Sequence, residues 1–326
     1  MPSMNILGID IGGTKTSVCI GDEKGEIRDS SRMPTGAEDG PECCIRRTVD
    51  LARDLLRKNT LGLDEVTAIG ISAPGPVSLR EQMMLEPPNM KGWKNVPLVK
   101  WFDAAFHRPV FMNNDANACV LAEYLFGSCR GVQNMVYLTM STGLGAGVIA
   151  NGQLIQGVTD TAGEIGHHVL DIHGPPCPCG QRGCLEIYCG GMNVAHRLRD
   201  AIVAGKIKTA ILDLVGGDPE KIDFKAFAEA VRARDVFALE KWAEYIERLA
   251  QGVGTVIMFF NPEVIVMGTI AIHAGDLLLA PLRKALTQYA WKPGVDACRI
   301  VPSALGTKIG DLSAIAVALS ALNPRH

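Results

Sequence analysis

No apolar run in this 326-residue chain approaches the roughly 18 to 20 residues that a membrane-spanning helix needs; the most apolar pieces are 253–260 and 314–322. The chain is therefore expected to be soluble, with no membrane partner. The N-terminus lacks the charged head and apolar core of a secretory leader, and the ten cysteines fall in no regular disulfide framework. Both absences point to the reducing cytoplasm. Strong charge of one sign is missing too: 32 Lys plus Arg against 35 Asp plus Glu give a formal net charge of -3. With no cationic field, nucleic acid and anionic lipid are not expected partners, which leaves small molecules. No low-complexity linker interrupts the chain. Its length and 47 % hydrophobic content suffice for two lobes, each with its own core.

What is present is a pattern that occurs twice. Residues 5–10 and 16–20 are β-prone runs joined by Gly12 and Gly13, and 26–32 predicts a third strand after the Lys24-Gly25 turn. A helix is expected over 41–58, where Ile45, Val49, Ala52, Leu55 and Leu56 recur near the helical period. Residues 66–72 form a buried strand that ends in Ala73-Pro74-Gly75-Pro76, 87–93 an irregular loop, and 109–113 a strand running into a helix that ends near Gly127. The second round has strands at 134–140, 146–150 and 153–157, separated by a Ser141-Thr142-Gly143-Leu144-Gly145 turn and an Asn151-Gly152 turn. Helices are expected over 192–204, 224–234, 236–260, 274–289 and 312–322, strands over 264–267 and 299–302, and an irregular surface piece over 205–223. The repetition predicts two similar α/β lobes with a cleft between them, each lobe opened by a hairpin whose glycine turn can approach a ligand closely.

The motifs point to phosphate and sugar chemistry braced by a metal. The stretch from Gly8 through Asp10, Gly12, Gly13, Thr14 and Lys15 is no Walker loop, because it leads into a strand. Its turn can nonetheless offer backbone N–H groups, the Thr14 hydroxyl and the Lys15 charge to phosphate oxygens, and Asp10 can reach a magnesium ion through water. The Ser141, Thr142 and Gly143 turn repeats this in the second half. Asn114 and Asp115 stand where a strand gives way to a helix; Asp115 suits an N-cap, and its carboxylate can also take the proton of an attacking substrate hydroxyl. Asn89, Glu164 and Glu186 lie on irregular segments and can each hydrogen-bond a polyol. The passage 163–186 packs Cys177, Cys179 and Cys184 close to His167, His168 and His173. Three thiolates and one imidazole make the closed set that structural zinc favours, with all three histidines open as the fourth ligand; a disulfide plus a spare thiol is the competing reading.

Taken together, Gly8-x-Asp10-x-Gly12-Gly13-Thr14-Lys15, residues 114–118, residues 141–147, Gly163-Glu164-Ile165-Gly166-His167 and Cys177-x-Cys179-Gly180-x-x-Gly183-Cys184-x-Glu186 resemble the ROK family of sugar kinases and repressors, in the same order over nearly the whole chain. The resemblance implies two actin-like, ribonuclease H-like lobes: 1–116 joined by a C-terminal helix over 310–326, and 117–309 carrying the zinc site. It selects His167 as the zinc ligand beside the three cysteines. It makes Asp115 the general base and Asn89, Asn114, Glu164, His167 and Glu186 the sugar contacts. ATP would be held by Asp10, Gly12, Gly13, Thr14, Lys15, Ser141, Thr142, Gly143 and Gly268, with magnesium. The family often has a run of glycines after the 264–267 strand; here Gly268 is followed by Thr269 and Ile270. The repressor branch has a DNA-binding helix-turn-helix before the first strand, which starts here within a few residues of Met1, so that segment is not expected. The implied activity is ATP-dependent phosphorylation of the glucose 6-hydroxyl by a homodimer. An N-acylhexosamine kinase, a fructokinase or a non-catalytic sugar sensor are the alternatives.

Overall fold

The computed structural model describes residues 4–323. The first half of the chain runs through β1 (Asn5–Ile11), β2 (Lys15–Gly21), β3 (Ile27–Pro34), α1 (Pro41–Lys58), β4 (Val66–Ala73), β5 (Val77–Ser78), β6 (Met83–Met84), α2 (Leu98–Phe106), β7 (Val110–Asn114) and α3 (Asp115–Phe126). The second half follows with β8 (Met135–Met140), β9 (Leu144–Ala150), β10 (Gln153–Leu154), α4 (Leu185–Cys189), α5 (Gly191–Gly205), α6 (Ala210–Leu214), α7 (Phe224–Arg232) and α8 (Val236–Phe260). It closes with β11 (Val264–Met267), α9 (Thr269–Ala274), α10 (Asp276–Ala285), α11 (Lys292–Ala297), β12 (Arg299–Pro302) and α12 (Ile309–Leu322).

The expected duplication is visible in the sheets. One has the order β3-β2-β1-β4-β7 and the other β10-β9-β8-β11-β12, the same arrangement of a hairpin with an edge strand followed by two further strands. In the first, β1 pairs antiparallel with β2 and parallel with β4, which pairs parallel with β7. Register sets Asp10 opposite Ser17 on one side and Ser72 on the other, with Ser72 opposite Asn113. Because side chains alternate along a strand, Gly8 lies on the same face as Asp10, beside Gly70. That face receives α12: a Cβ at Gly70 would overlap the Ala314 carbonyl oxygen, and one at Gly8 would sit 3.1 Å from Ile315. Glycine at both positions lets the helix lie directly on the sheet, with Ala314, Ala316 and Ala318 fully buried.

The chain divides into two compact units, residues 1–132, 147–162 and 304–326 forming one, and 133–146 with 163–303 the other. The division expected after residue 116 falls inside α3, all of which belongs to the first unit. The core of that unit is built on α1, whose Cys44, Ile45, Val49, Ala52, Leu55 and Leu56 are buried, and on Trp93, Phe102 and Phe106. In the second unit the 25-residue helix α8 buries Trp242, Tyr245, Ile246, Leu249 and Val253, and Phe224 and Phe227 of α7 pack edge-on against Trp242 and Tyr245.

Several elements depart from expectation. The helix expected over 274–289 is present as α10 followed by a 3-10 turn at Leu286–Gln288, and the φ of 57° at Gly275 separates it from α9, which was not expected. The strand expected over 153–157 is only two residues long. The segment 205–223 contains α6, started by the Thr209 hydroxyl, which accepts the Ile211 N–H at 3.3 Å. Helices α2, α4, α9 and α11 are short and lie where no helix was expected. No helix among the described residues is long and apolar enough to cross a membrane.

Candidate functional site

The first unit gathers its polar groups at the carboxyl ends of β1, β4 and β7. The turn between β1 and β2 is tight because the Gly12 N–H donates to the Lys15 carbonyl at 2.9 Å, and a Cβ at Gly12 would sit 2.8 Å from that oxygen. The Thr35 hydroxyl donates to the Gly12 carbonyl at 2.6 Å, and Thr14 and Lys15 are exposed. Asp10 points to the face covered by α12. Burial pushes its carboxyl up to about 7; a hydrogen bond from Ser72 opposes this, Asp115 and Asp311 add to it and Lys15 partly offsets it. Asp10 and Asp115 are thus close enough to feel one another.

The N-cap role that Asp115 suits by residue type falls to its neighbour. The Asn114 side chain accepts the Asn117 N–H at 2.7 Å, making Asn114 the cap and Asp115 the first helical residue of α3. Asp115 is exposed, held in part by its own Oδ1 accepting the Ala116 N–H at 2.8 Å. Asn89 is exposed and packs against the glycine turn, 3.8 Å from a Cβ built on Gly13. The sequence reading missed the support beneath these groups. Asp311, buried in the first turn of α12, accepts from Ser17 Oγ at 2.8 Å and pairs with Arg32 at 3.2 Å. An acidic residue inside the apolar stretch 309–322 was the available signal. Asn113, also buried, accepts the Asn114 N–H and the Asn117 side-chain N–H at 2.9 and 3.1 Å.

In the second unit the glycine turn joins β8 to β9. Ser141 and Thr142 are exposed, and the two carbonyls are held from behind by the Gly191 and Met192 N–H groups at 2.9 and 3.0 Å. Gly268, the N-cap of α9, is buried, and a Cβ there would sit 2.9 Å from the Tyr137 hydroxyl and 3.1 Å from the Leu138 carbonyl. Close packing on β8 thus requires glycine at 268.

The cysteine passage folds into a compact knuckle. Gly180 and Gly183 take left-handed φ values of 92° and 62°, turning the chain back so that Cys177 and Cys184 approach. Leu170 donates to the Gly183 carbonyl at 2.8 Å and Leu185 to the His168 carbonyl at 2.9 Å, which lays the histidine strand beside Cys184. His167, Cys177, Cys179 and Cys184 converge, their ligand atoms all within 4.8 Å of one another. His167 Nδ1 lies 3.7 Å from Cys177 Sγ, and Cys179 Sγ 3.6 Å from Cys184 Sγ. Donors around one tetrahedral ion would be about 3.5 to 3.8 Å apart, so the set fits a structural metal. His168 and His173 lie outside it, and the cysteines are free thiols, not a disulfide. Glu164 and Glu186 flank the cluster. Desolvation raises the Glu164 carboxyl, His167 opposing and Glu186 reinforcing the shift.

An α/β fold whose two sheets repeat one strand order, each led by a glycine-turned hairpin, is the two-lobe actin-like class. Residues 6–321 match the ROK family, and this chain belongs to it. A glucokinase of Thermotoga maritima is 35 % identical over 317 residues, 97 % of this chain and 98 % of that protein. The crystal structure of a ROK hexokinase from Thermus thermophilus superposes with a TM-score of 0.82 at 30 % identity, covering 98 % of this chain and 100 % of the other. A ROK glucokinase from Streptomyces griseus, crystallised in complex with glucose and AMPPNP, gives 0.81 at 29 % identity, with coverage of 96 % and 99 %.

Proposed function

We propose that this protein is an ATP-dependent hexokinase of the glucokinase type, which transfers the γ-phosphoryl group to the 6-hydroxyl of glucose. The observation that carries the reading is the placing of Asp115 beyond the end of β7, exposed and within electrostatic reach of Asp10 beside the first glycine turn. Asp115 takes the proton of the sugar hydroxyl as its oxygen bonds to the γ-phosphorus; the bond from that phosphorus to the β,γ-bridging oxygen breaks, and ADP leaves with the electron pair. Asn89, Asn114, Glu164, His167 and Glu186 hold the other hydroxyls, so the reacting oxygen is presented in one orientation. Asn114 can do so through its side-chain N–H donors, since its Oδ1 caps α3. The N–H groups and side chains of Gly12, Gly13, Thr14, Lys15, Ser141, Thr142 and Gly143 take the phosphates, Asp10 orients hydrated magnesium, and Gly268 lies on the adenosine side.

Zinc is the metal the donor set suits, and when bound it would fix the backbone that presents Glu164, His167 and Glu186. Ten free cysteines support a reducing, cytoplasmic setting. A homodimer is supported by the exposed apolar side chains of Met258, Phe259 and Trp291. The test of the activity is ADP release over a hexose panel: glucose should be preferred. Preference for an N-acetylated sugar or fructose would replace glucose as substrate, and sugar binding with no ATP turnover would replace catalysis with sensing.

A further inference from the structure

Glu186 does more in this fold than face a sugar. Its Oε2 accepts the backbone N–H of Leu144 at 2.9 Å, at the end of the glycine turn that follows β8. A Cβ added to Gly143 would sit 2.6 Å from the same oxygen, so glycine at 143 is what lets the carboxylate approach the turn. Five residues further on, the first N–H groups of α5 donate to the turn's carbonyls, Gly191 to Ser141 and Met192 to Thr142. Helix N-terminal N–H groups need external acceptors, and here the turn supplies them. On the other side Gly166 packs so tightly on the Leu144 carbonyl that a Cβ there would overlap it, and the Gly163 carbonyl accepts the Ala146 N–H at 3.1 Å. The turn is thus gripped from both sides by the two stretches that carry the Cys/His cluster, and the Glu186 carboxylate bonds directly to its backbone.

We infer that Glu186 is a positioning residue for the nucleotide, holding the Ser141–Leu144 turn in its phosphate-binding shape whether or not sugar is present. This rests on the reading of that turn as a phosphate loop. Oε1 remains for a sugar hydroxyl, so one carboxylate serves acceptor and donor substrates at once. A group that served sugar alone would leave nucleotide affinity in the sugar-free protein untouched, whereas a charged acceptor lost from a backbone N–H lets the turn relax.

The experiment is calorimetric titration of the metal-loaded protein with magnesium-AMPPNP in the absence of sugar. Glu186→Ala should weaken binding about tenfold, a loss equal to one good charge-assisted hydrogen bond. Glu186→Asp, one methylene short of Leu144, should weaken it several-fold and stands in if the alanine variant does not fold. Glu186→Gln, which keeps an acceptor at the same reach, should restore affinity to within about twofold of the parent, a rescue that general destabilisation would not give. Parent-like affinity in both Glu186→Ala and Glu186→Asp would overturn the inference while leaving the kinase reading intact. Failure of the parent protein itself to bind AMPPNP would overturn the phosphate-loop reading, and the inference with it.

Discussion

Two aspartates of the first unit show how differently one residue type behaves in two surroundings. Asp115 sits at the first position of α3 in contact with solvent, and its proposed task needs only an ionised carboxylate at neutral pH. Asp115→Asn should lower kcat about a thousandfold and leave the sugar dissociation constant within a few-fold, measured by coupled assay and calorimetry. Near-normal turnover would remove it from the base role. Asp10 is the opposite case, its carboxyl raised from an ordinary 3.8 to about 7 by burial, opposed by Ser72 and reinforced by Asp115 and Asp311. Between those two values the folded chain holds a proton that the unfolded chain has released. The stabilising effect of this proton is complete below pH 3.8 and is lost as pH rises through about 7. Asp10→Asn, which lacks the charge, should therefore gain thermal stability relative to the parent as pH goes from 4 to 8, by a few degrees in melting temperature. A pH-independent difference would contradict the raised value. Motif spacing exposed both aspartates in the sequence, but not their different environments: Ser72 and Asp311 reach Asp10 only through sheet register and the docking of α12.

At the scale of elements, α12 and the cysteine knuckle carry the most structural information. The helix lies on β1 and β4 because Gly8 and Gly70 have no side chain to hold it off. Gly70→Ala forces a methyl group into the Ala314 carbonyl and should cost about 2 to 4 kcal/mol in chemical denaturation. A smaller loss would show that α12 can shift. The knuckle owes its turn to Gly180 and Gly183 and brings four donor groups together, their ligand atoms within 4.8 Å of one another. Stripping the metal with a chelator should lower the melting temperature by about 5 to 15 °C and weaken sugar binding, with Cys184→Ser reproducing both and carrying little metal by elemental analysis. Unchanged melting would make the cluster incidental. Helix α1, with Pro41 at its first position and apolar residues at helical spacing, was legible residue by residue, and α8 was as well. The short helix α9 before Gly275 was not, because six residues are too few to show a helical period and the positive φ at Gly275 that ends it is a backbone property.

At the scale of the whole molecule, the duplication governs. Two sheets of one order each carry a glycine turn at the equivalent place, one after β1 and one after β8. Outside them the largest exposed apolar side chains of the second unit include Phe259 and Trp291. If a second copy covers them, replacing both with lysine should convert a dimer to a monomer in sedimentation velocity. A parent protein that sediments as a monomer would remove the homodimer from the proposal.

The sequence by itself determined the α/β repeat, the two glycine turns, the cysteine passage and the acidic residue after the 109–113 strand, because each depends on local spacing and turn chemistry. Spacing left His167, His168 and His173 open, and the fold agrees with the His167 that the family resemblance selects; tertiary structure alone moved the helix cap from Asp115 to Asn114, placed Asp311 beneath Asp10 and bonded Glu186 to Leu144. Those outcomes depend on which residues the sheets and helices bring together from distant parts of the chain, and no local pattern encodes that distance.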